Sequence, residues 1–235
     1  MKKTIITIVS LLLAGCATFN IENRLDEFPN IPAYGLQSGA STTISPKYKD
    51  EILKAIIFPD DSADAVKRIW RYISLNYHSA PITDGANVRT VDELIRTKTL
   101  RHCGEYGVLW VSLLRLYGIP CRLISGLNLQ EGKDLATTSF SGHEFVEAYI
   151  DNRYIIIDST RGLFFEGKID NRIIPIKING FAPKGFIVMT YYYDPFDVIK
   201  KNEDWAVLIK ETKYFYIENC VEPTEFWNGK SLEEL

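Results

Sequence analysis

Several things are missing from this chain, and each absence narrows the choice. It has no internal repeat and no low-complexity segment, so neither a stacked array nor a disordered linker protein fits. It has no excess of basic residues: net charge is −3, which gives no field for nucleic acid. The apolar run at its N-terminus, Ile5 to Leu13, falls far short of the ~20 residues that span a bilayer. Cysteine is sparse, at four residues. What remains is ordinary globular composition, 46% hydrophobic and 24% charged, with a generous 12% of aromatics. The length of 235 residues suits one domain, or one core with an elaboration.

The first residues read as a processing signal. Lys2 and Lys3 precede the short apolar run, and Leu13-Ala14-Gly15-Cys16 follows it. That tetrapeptide resembles the lipobox of bacterial lipoproteins, in which cleavage before the cysteine leaves a thiol that carries lipid. Small residues fit a narrow protease cleft, and several acyl chains hold a protein far more firmly than one. The expectation is a signal peptide over 1–15, a lipidated Cys16, and attachment to a membrane in the bacterial cell envelope. Ala17 stands where Asp can retain a lipoprotein in an inner membrane, so delivery to an outer membrane is expected where there are two membranes. With Cys16 used, Cys103, Cys121 and Cys220 remain. Three is an odd number, so at least one thiol stays unpaired within the chain. A Cys121–Cys220 bridge would leave Cys103 free.

Residues 16–45 read as the lipidated Cys and a tether, with Pro29, Pro32 and the polar run Gln37 to Thr43. A short amphipathic helix is expected over Pro46 to Phe58. Val66, Ile69, Trp70, Ile73 and Tyr77 repeat on one helical face, with Asp60, Asp61 and Ser62 as N-cap candidates. Thr90-Val91-Asp92-Glu93 fits a capping box ahead of another short helix. Residues 103–117 form a helix apolar on almost every side, hence buried, with Gly118 to cap it and Pro120 to stop it. Cys121 to Ser125 reads as a strand. A loop of about fifteen residues, 127–142, precedes two more strands, His143 to Ile150 and Tyr154 to Asp158, joined by a tight Asp151-Asn152 turn. Residues 163–235 read as a β-rich elaboration, with runs at Ile173 to Ile178, Phe186 to Tyr193 and Tyr214 to Ile217. Turns at Asn179-Gly180 and Asp194-Pro195 divide them.

The chemistry concentrates in three residues. Cys103 opens the buried helix, where unpaired N–H groups and a partial positive charge favour a thiolate and can hold an oxyanion. A two-residue turn at Asp151-Asn152 pairs Ile150 with Arg153. That register sets Asp158 opposite Phe145, on the face shared by His143. An acid diagonal to His143 can fix its tautomer and leave the other nitrogen for the thiol. A small buried cysteine, a structural histidine and an Asx-type turn are the plain readings of each residue alone. The three together favour catalysis.

The stretch His102-Cys103-Gly104-Glu105-Tyr106-Gly107, running into Leu113 to Arg122, resembles the core of the transglutaminase-like superfamily. So do Gly142-His143-Glu144-Phe145-Val146-Glu147-Ala148-Tyr149 and Ile157-Asp158-Ser159-Thr160. The resemblance covers roughly residues 60 to 162. It implies an α+β, papain-like fold, with the Cys-bearing helix buried against an antiparallel sheet and the catalytic core spanning 46–162. It further implies acyl transfer through a thioester, with Cys103 as nucleophile, His143 as base and then acid, and Asp158 as orienter. No cofactor and no metal is expected. Arg101 stands where family members often have Gly or Ser, Phe145 where Trp is common, and Ser159 where Pro is common. These differences bear on substrate, since Arg101 and His102 are placed to line the cleft. The Cys103 N–H is a natural oxyanion donor; Asn76, Tyr77 and His102 are candidates for the second.

Three functional readings stay open on these residues. One is an enzyme acting on a peptide or glutaminyl amide of an envelope peptide or protein, with the thioester resolved by water or by an amine. Another is a silent lipoprotein that uses the fold, and aromatics such as Tyr191-Tyr192-Tyr193, to bind peptides or glycans. The third is a metal site built on His102, Cys103, His143 and Glu144. The His143-Glu144-Phe145-Val146-Glu147 stretch lacks the second histidine of a zinc-binding helix and sits in a strand pattern, against that last reading.

Overall fold

A computed structural model describes residues 35–36, 38–56, 59–82, 88–129, 141–167, 169, 171–195, 202–219, 223 and 225–235. The signal segment, Cys16, Pro29, Pro32, Ile57-Phe58, most of the expected 127–142 loop and Cys220 lie outside the described residues.

Among the described residues three helices precede the one that carries Cys103, and local sequence accounts for each. Helix α1 spans Pro46–Ala55, with proline in its first turn. Helix α2, Ser62–Asn76, starts where the Asp61 carboxylate accepts the Asp64 N–H at 2.7 Å. Its stripe of Val66, Ile69 and Ile73 is buried, as the periodicity requires. Helix α3, Val91–Thr97, carries the expected capping box: the Thr90 N–H donates to Glu93 at 2.9 Å, and the Glu93 N–H returns to the Thr90 hydroxyl. Strands β1 (His78–Ser79) and β2 (Thr99–Leu100) pair in parallel and bring the end of α2 beside the approach to α4.

Helix α4 runs Cys103–Leu116, and eleven of its residues are buried. Burial of each large apolar side chain contributes about 1.5–3 kcal/mol, so this helix fixes the core. Gly107 lets it approach the sheet: a Cβ there would stand 2.6 Å from Leu123 Cδ2. Gly118 follows the helix with φ of 73°, in the left-handed region that favours glycine at such an end.

Among the described residues the sheet has seven strands in the order β7-β8-β3-β4-β5-β6-β9, each pairing antiparallel. They are β3 (Cys121–Asn128), β4 (Gly142–Ile150), β5 (Arg153–Asp158), β6 (Leu163–Glu166), β7 (Ile173–Ile174), β8 (Phe186–Tyr192) and β9 (Lys230–Ser231). Asp151 and Asn152 both have positive φ, 48° and 62°, which suits a two-residue hairpin turn. That turn pairs Ile150 with Arg153 and Val146 with Ile157, the register read from the sequence. One face of the sheet, with Leu123, Val146, Ala148 and Ile157, packs under α4; the other, with Ile124, Phe145, Ile156 and Phe186, forms a second core. The fold is thus α+β, with a Cys-bearing helix buried on an antiparallel sheet.

Four regions differ from the sequence reading. Strand β3 continues to Asn128, past the expected end at Ser125, so the following loop starts later. Within Ile173 to Ile178 only Ile173–Ile174 is strand; Pro175 interrupts it, and Ile178 instead bridges Ala182 around the Asn179-Gly180 turn. Tyr214 to Ile217 lies in a fifth helix, α5 (Asn202–Asn219), not in a strand. Buried Leu208, Ile209, Thr212, Lys213 and Tyr216 mark its inner face at helical spacing, and the polar Thr212 and Lys213 hide that period from a hydropathy reading. Finally, part of the expected tether is docked. Asp194 accepts the Ser41 N–H at 2.7 Å and the Thr42 N–H at 3.2 Å, and both residues are buried.

Candidate active site

Cys103 is the first residue of α4 and is partly exposed. The preceding His102 has extended backbone and caps the helix with its carbonyl, which accepts the Glu105 N–H at 3.0 Å. Its side chain makes no cap bond, so no side-chain cap claims the N–H groups beside the thiol. A second device anchors this turn. Glu105, fully buried, accepts from Arg89 Nε at 2.7 Å, from the Arg101 N–H at 2.8 Å and from Arg101 Nη2 at 2.6 Å. Burial works against its ionisation, but the two guanidiniums overcome that and lower its pKa to about 2.

His143 stands on β4, 6% exposed, with its ring edge-on to Phe145 at 4.8 Å between centroids. Its Nε2 meets Asp158 Oδ1 at 3.0 Å. The Cys103 thiol hydrogen-bonds to the same ring, which leaves Nδ1 as the nitrogen for sulfur. Burial by itself would lower the imidazole pKa. The Asp158 hydrogen bond, the Cys103 hydrogen bond and both charges outweigh it and lift the value to about 9.

Asp158 closes β5 and is 1% exposed. Besides His143, its Oδ1 accepts the Thr160 N–H at 3.2 Å and the Thr160 hydroxyl at 2.8 Å, while Oδ2 accepts Arg161 Nη1 at 2.8 Å. Burial opposes the charge, yet His143, Arg161 and Thr160 hold the carboxyl well below the usual range. The 158–162 turn is locked from beneath. Trp110 Nε1 donates to the Ser159 carbonyl at 3.3 Å, and Trp70 stacks on Trp110 at 6.4 Å. Gly162, with φ of 65°, fits against Trp70, where a Cβ would come within 2.2 Å of the indole.

The structure therefore brings together Cys103, His143 and Asp158. The other sequence candidates are placed as follows. Arg101 is turned onto Glu105 and supports α4. Asn76 Nδ2 donates to the Tyr72 carbonyl at 2.8 Å on its own helix. Tyr77 packs edge-on against Tyr72, 5.9 Å between centroids, with the Lys98 ammonium 5.1 Å from its ring. His102 folds its ring over Gly104, where a Cβ would lie 3.2 Å from the imidazole. Cys121 is a free thiol inside the core, donating to the Val111 carbonyl at 3.6 Å; its suggested partner Cys220 lies outside the described residues. Burial pushes the Cys121 pKa up to about 11.

Sequence reasoning missed the supports. Thr160 and Arg161 follow Asp158 within a turn whose Asx character was visible, but their grip on the acid was not read. The Arg89–Glu105 link spans sixteen residues and had no local signal. Glu144 was considered only as a metal ligand; it is buried and accepts a hydrogen bond from the Tyr192 hydroxyl. Burial raises its carboxyl to about 7 against the opposing effects of Tyr192, Ser125 and His143.

A partly exposed thiol at a helix N-terminus, an imidazole within its reach and a buried acid behind that imidazole can perform nucleophilic acyl transfer. Comparison with known proteins agrees on the core. Residues 52–159 match the model of the transglutaminase-like superfamily. The chain thus contains a transglutaminase-like domain over those residues. Among solved structures it is similar to a candidate cysteine protease from Cytophaga hutchinsonii, at 19% identity and a TM-score of 0.49, over 74% of this chain and 51% of that one. A candidate protease from Parabacteroides distasonis aligns at 18% identity and a TM-score of 0.40, over 55% of this chain and 26% of that one. EGTA-treated LapG of Legionella pneumophila aligns at 12% identity and a TM-score of 0.40, over 77% of this chain and 95% of that one. This chain thus spans about half the length of the first of these proteins and about a quarter of the second. None of the curated proteins matches it.

Proposed function

We propose that the protein is a thiol-dependent acyl-transfer enzyme that opens a peptide or glutaminyl amide through a thioester on Cys103. The observation that carries this reading is the hydrogen-bonded series from the Cys103 thiol through His143 to Asp158. His143 takes the thiol proton, and the sulfur adds to the amide carbonyl. N–H groups at the start of α4 are suited to hold the resulting oxyanion. As the C–N bond breaks, His143 returns the proton to the leaving amine. Water, or a second amine, then attacks the thioester, again losing a proton to His143, and the thiol is released. Water makes the enzyme a protease or amidase; an amine makes it a transglutaminase. Hydrolysis is the favoured outcome, because amine transfer needs an acceptor site shielded from water.

The same proposal places the enzyme in the bacterial cell envelope, held to a membrane by lipid on Cys16 and acting on peptides or proteins there. No nucleic acid or cofactor enters it. The test of chemistry is turnover of a peptide or glutaminyl amide, with mass spectrometry for an acyl adduct on Cys103. Cys103→Ala must remove both; wild-type turnover in that variant overturns the proposal. The test of anchoring is metabolic lipid labelling, which Cys16→Ser must abolish.

A further inference from the structure

We infer that Arg161 is a positioning residue of the catalytic centre: it fixes the carboxylate of Asp158 by its second oxygen and sets how strongly that acid draws His143. The inference rests on the proposed thiol chemistry and deepens it. Three donors converge on Oδ1, namely His143 Nε2, the Thr160 N–H and the Thr160 hydroxyl. Arg161 Nη1 binds Oδ2 at 2.8 Å. A carboxylate held on one oxygen alone can turn about its Cβ–Cγ bond. Held on both, it keeps Oδ1 toward the imidazole.

Arg161 itself sits on a rigid support. It lies in the 158–162 turn, whose own carbonyl at Asp158 accepts the Arg161 N–H at 3.2 Å and the Gly162 N–H at 3.1 Å. The turn is packed on Trp70 through Gly162 and on Trp110 through Ser159. From there the guanidinium reaches Asp158 while staying 42% exposed.

The electrostatic consequence has a definite sign. The titratable and charged groups facing this centre are Cys103 from α4, His143 and Glu144 from β4, Asp158 from β5, Arg161 from the turn and the Tyr192 phenol of β8, which donates to Glu144. Arg161 offsets part of the Asp158 charge. Without it, Asp158 acts more fully on the imidazolium, and the thiolate–imidazolium pair persists over a wider pH range. A more stable pair is a weaker acid toward the leaving amine, so the chemical step slows while substrate binding is untouched. A merely structural role would lower the amount of folded protein and leave the pH profile in place.

The test uses the full chain and needs no natural substrate. Alkylation of Cys103 by iodoacetamide is followed by intact mass from pH 4 to 10 for wild type, Arg161→Gln and Arg161→Lys. Circular dichroism checks folding. The wild type should show rapid alkylation of Cys103 whose rate changes with pH near the imidazole titration. Arg161→Gln should move the upper limb upward by about half a pH unit, a modest shift because the guanidinium is partly screened. Arg161→Lys should return it toward wild type. With a turnover assay in hand, kcat should fall several-fold and KM stay constant. If the wild type shows only ordinary thiol reactivity, the thiol-enzyme proposal itself fails. If the wild type behaves as stated but folded Arg161→Gln keeps the same profile, the role of Arg161 is refuted and the enzyme reading stands.

Discussion

Replacing Asp158 with Asn removes one charge and keeps the shape, which makes it the most informative single change. The imidazole of His143 is raised from 6.5 to about 9. That preference for the charged form is worth ~3 kcal/mol at 1.36 kcal/mol per unit. His143 is only 8% exposed, so solvent screens little of it. Of the favourable contributions the Asp158 hydrogen bond ranks first, ahead of Cys103. Loss of that contribution shifts the thiolate–imidazolium equilibrium tenfold for each pKa unit it supplies. A further loss follows if the Asn amide donates to Nε2. The ring proton then sits on Nδ1, facing the sulfur, and the base cannot act, which can extend the loss toward ~10⁴-fold as in serine triads.

The assay is the rate of Cys103 alkylation against pH, with amide turnover measured in parallel. A stability arm adds an independent sign. The folded pKa of His143, about 9, lies above its unfolded value of 6.5. Its contribution is therefore fully present below about 6.5 and is lost as pH rises through about 9. Asp158 is shifted the other way, below 3.8, so its contribution is present above that value and is lost as pH falls through the folded pKa. Both describe one hydrogen-bonded pair and are not added. Asp158→Asn should flatten the decline of stability on the alkaline side. A folded variant with wild-type alkylation rates and an unchanged alkaline limb would refute the reasoning.

Three further outcomes follow from the packing. Glu105→Gln leaves the Arg89 and Arg101 guanidiniums without their buried carboxylate. It should cost ~3–5 kcal/mol and lower Tm by roughly 10 °C in calorimetry at pH 7. Gly162→Ala forces a methyl into Trp70 at a φ of 65°. It should destabilise by ~2 kcal/mol or more and reduce Cys103 reactivity by shifting the Asp158 turn, read by denaturant melts and alkylation together. Cys121, buried with its thiol raised to about 11, should resist iodoacetamide in the native protein at pH 8 and react only after unfolding; equal native labelling of Cys103 and Cys121 would contradict the packing.

The legible parts of the fold are those written in short-range rules. The Thr90–Glu93 box, the Asp61 cap, the stripe on α2 and the Gly118 end of α4 each depend on residues a turn or two apart. The β4–β5 hairpin was legible for the same reason, since a two-residue turn dictates its register. Helix α5 was not, because its inner face mixes Leu208 and Ile209 with Thr212 and Lys213, and Tyr214 to Ile217 has the composition of a strand. The docking of Ser41 and Thr42 on Asp194 was hidden by a separation of more than 150 residues.

The site divides along the same line. His143 and Asp158 are fifteen residues apart, yet hairpin arithmetic alone sets them on one face, and the 3.0 Å contact follows from it. Nothing local joins Cys103 to His143. Their meeting depends on how α4 lies across β3 and β4, and that depends on Gly107 passing close to Leu123 and on Glu105 tying the first turn to Arg89 and Arg101. A resemblance could supply this link; periodicity could not. The same reasoning explains what Arg101 does beside the nucleophile. Read alone, a charged residue two before a nucleophile suggests substrate. Read with Glu105, four residues on and wholly buried, it is the cation that an interior carboxylate at the start of a helix requires. The burial of Glu105, which the apolar pattern of α4 already implied, is therefore the fact that decides what Arg101 does.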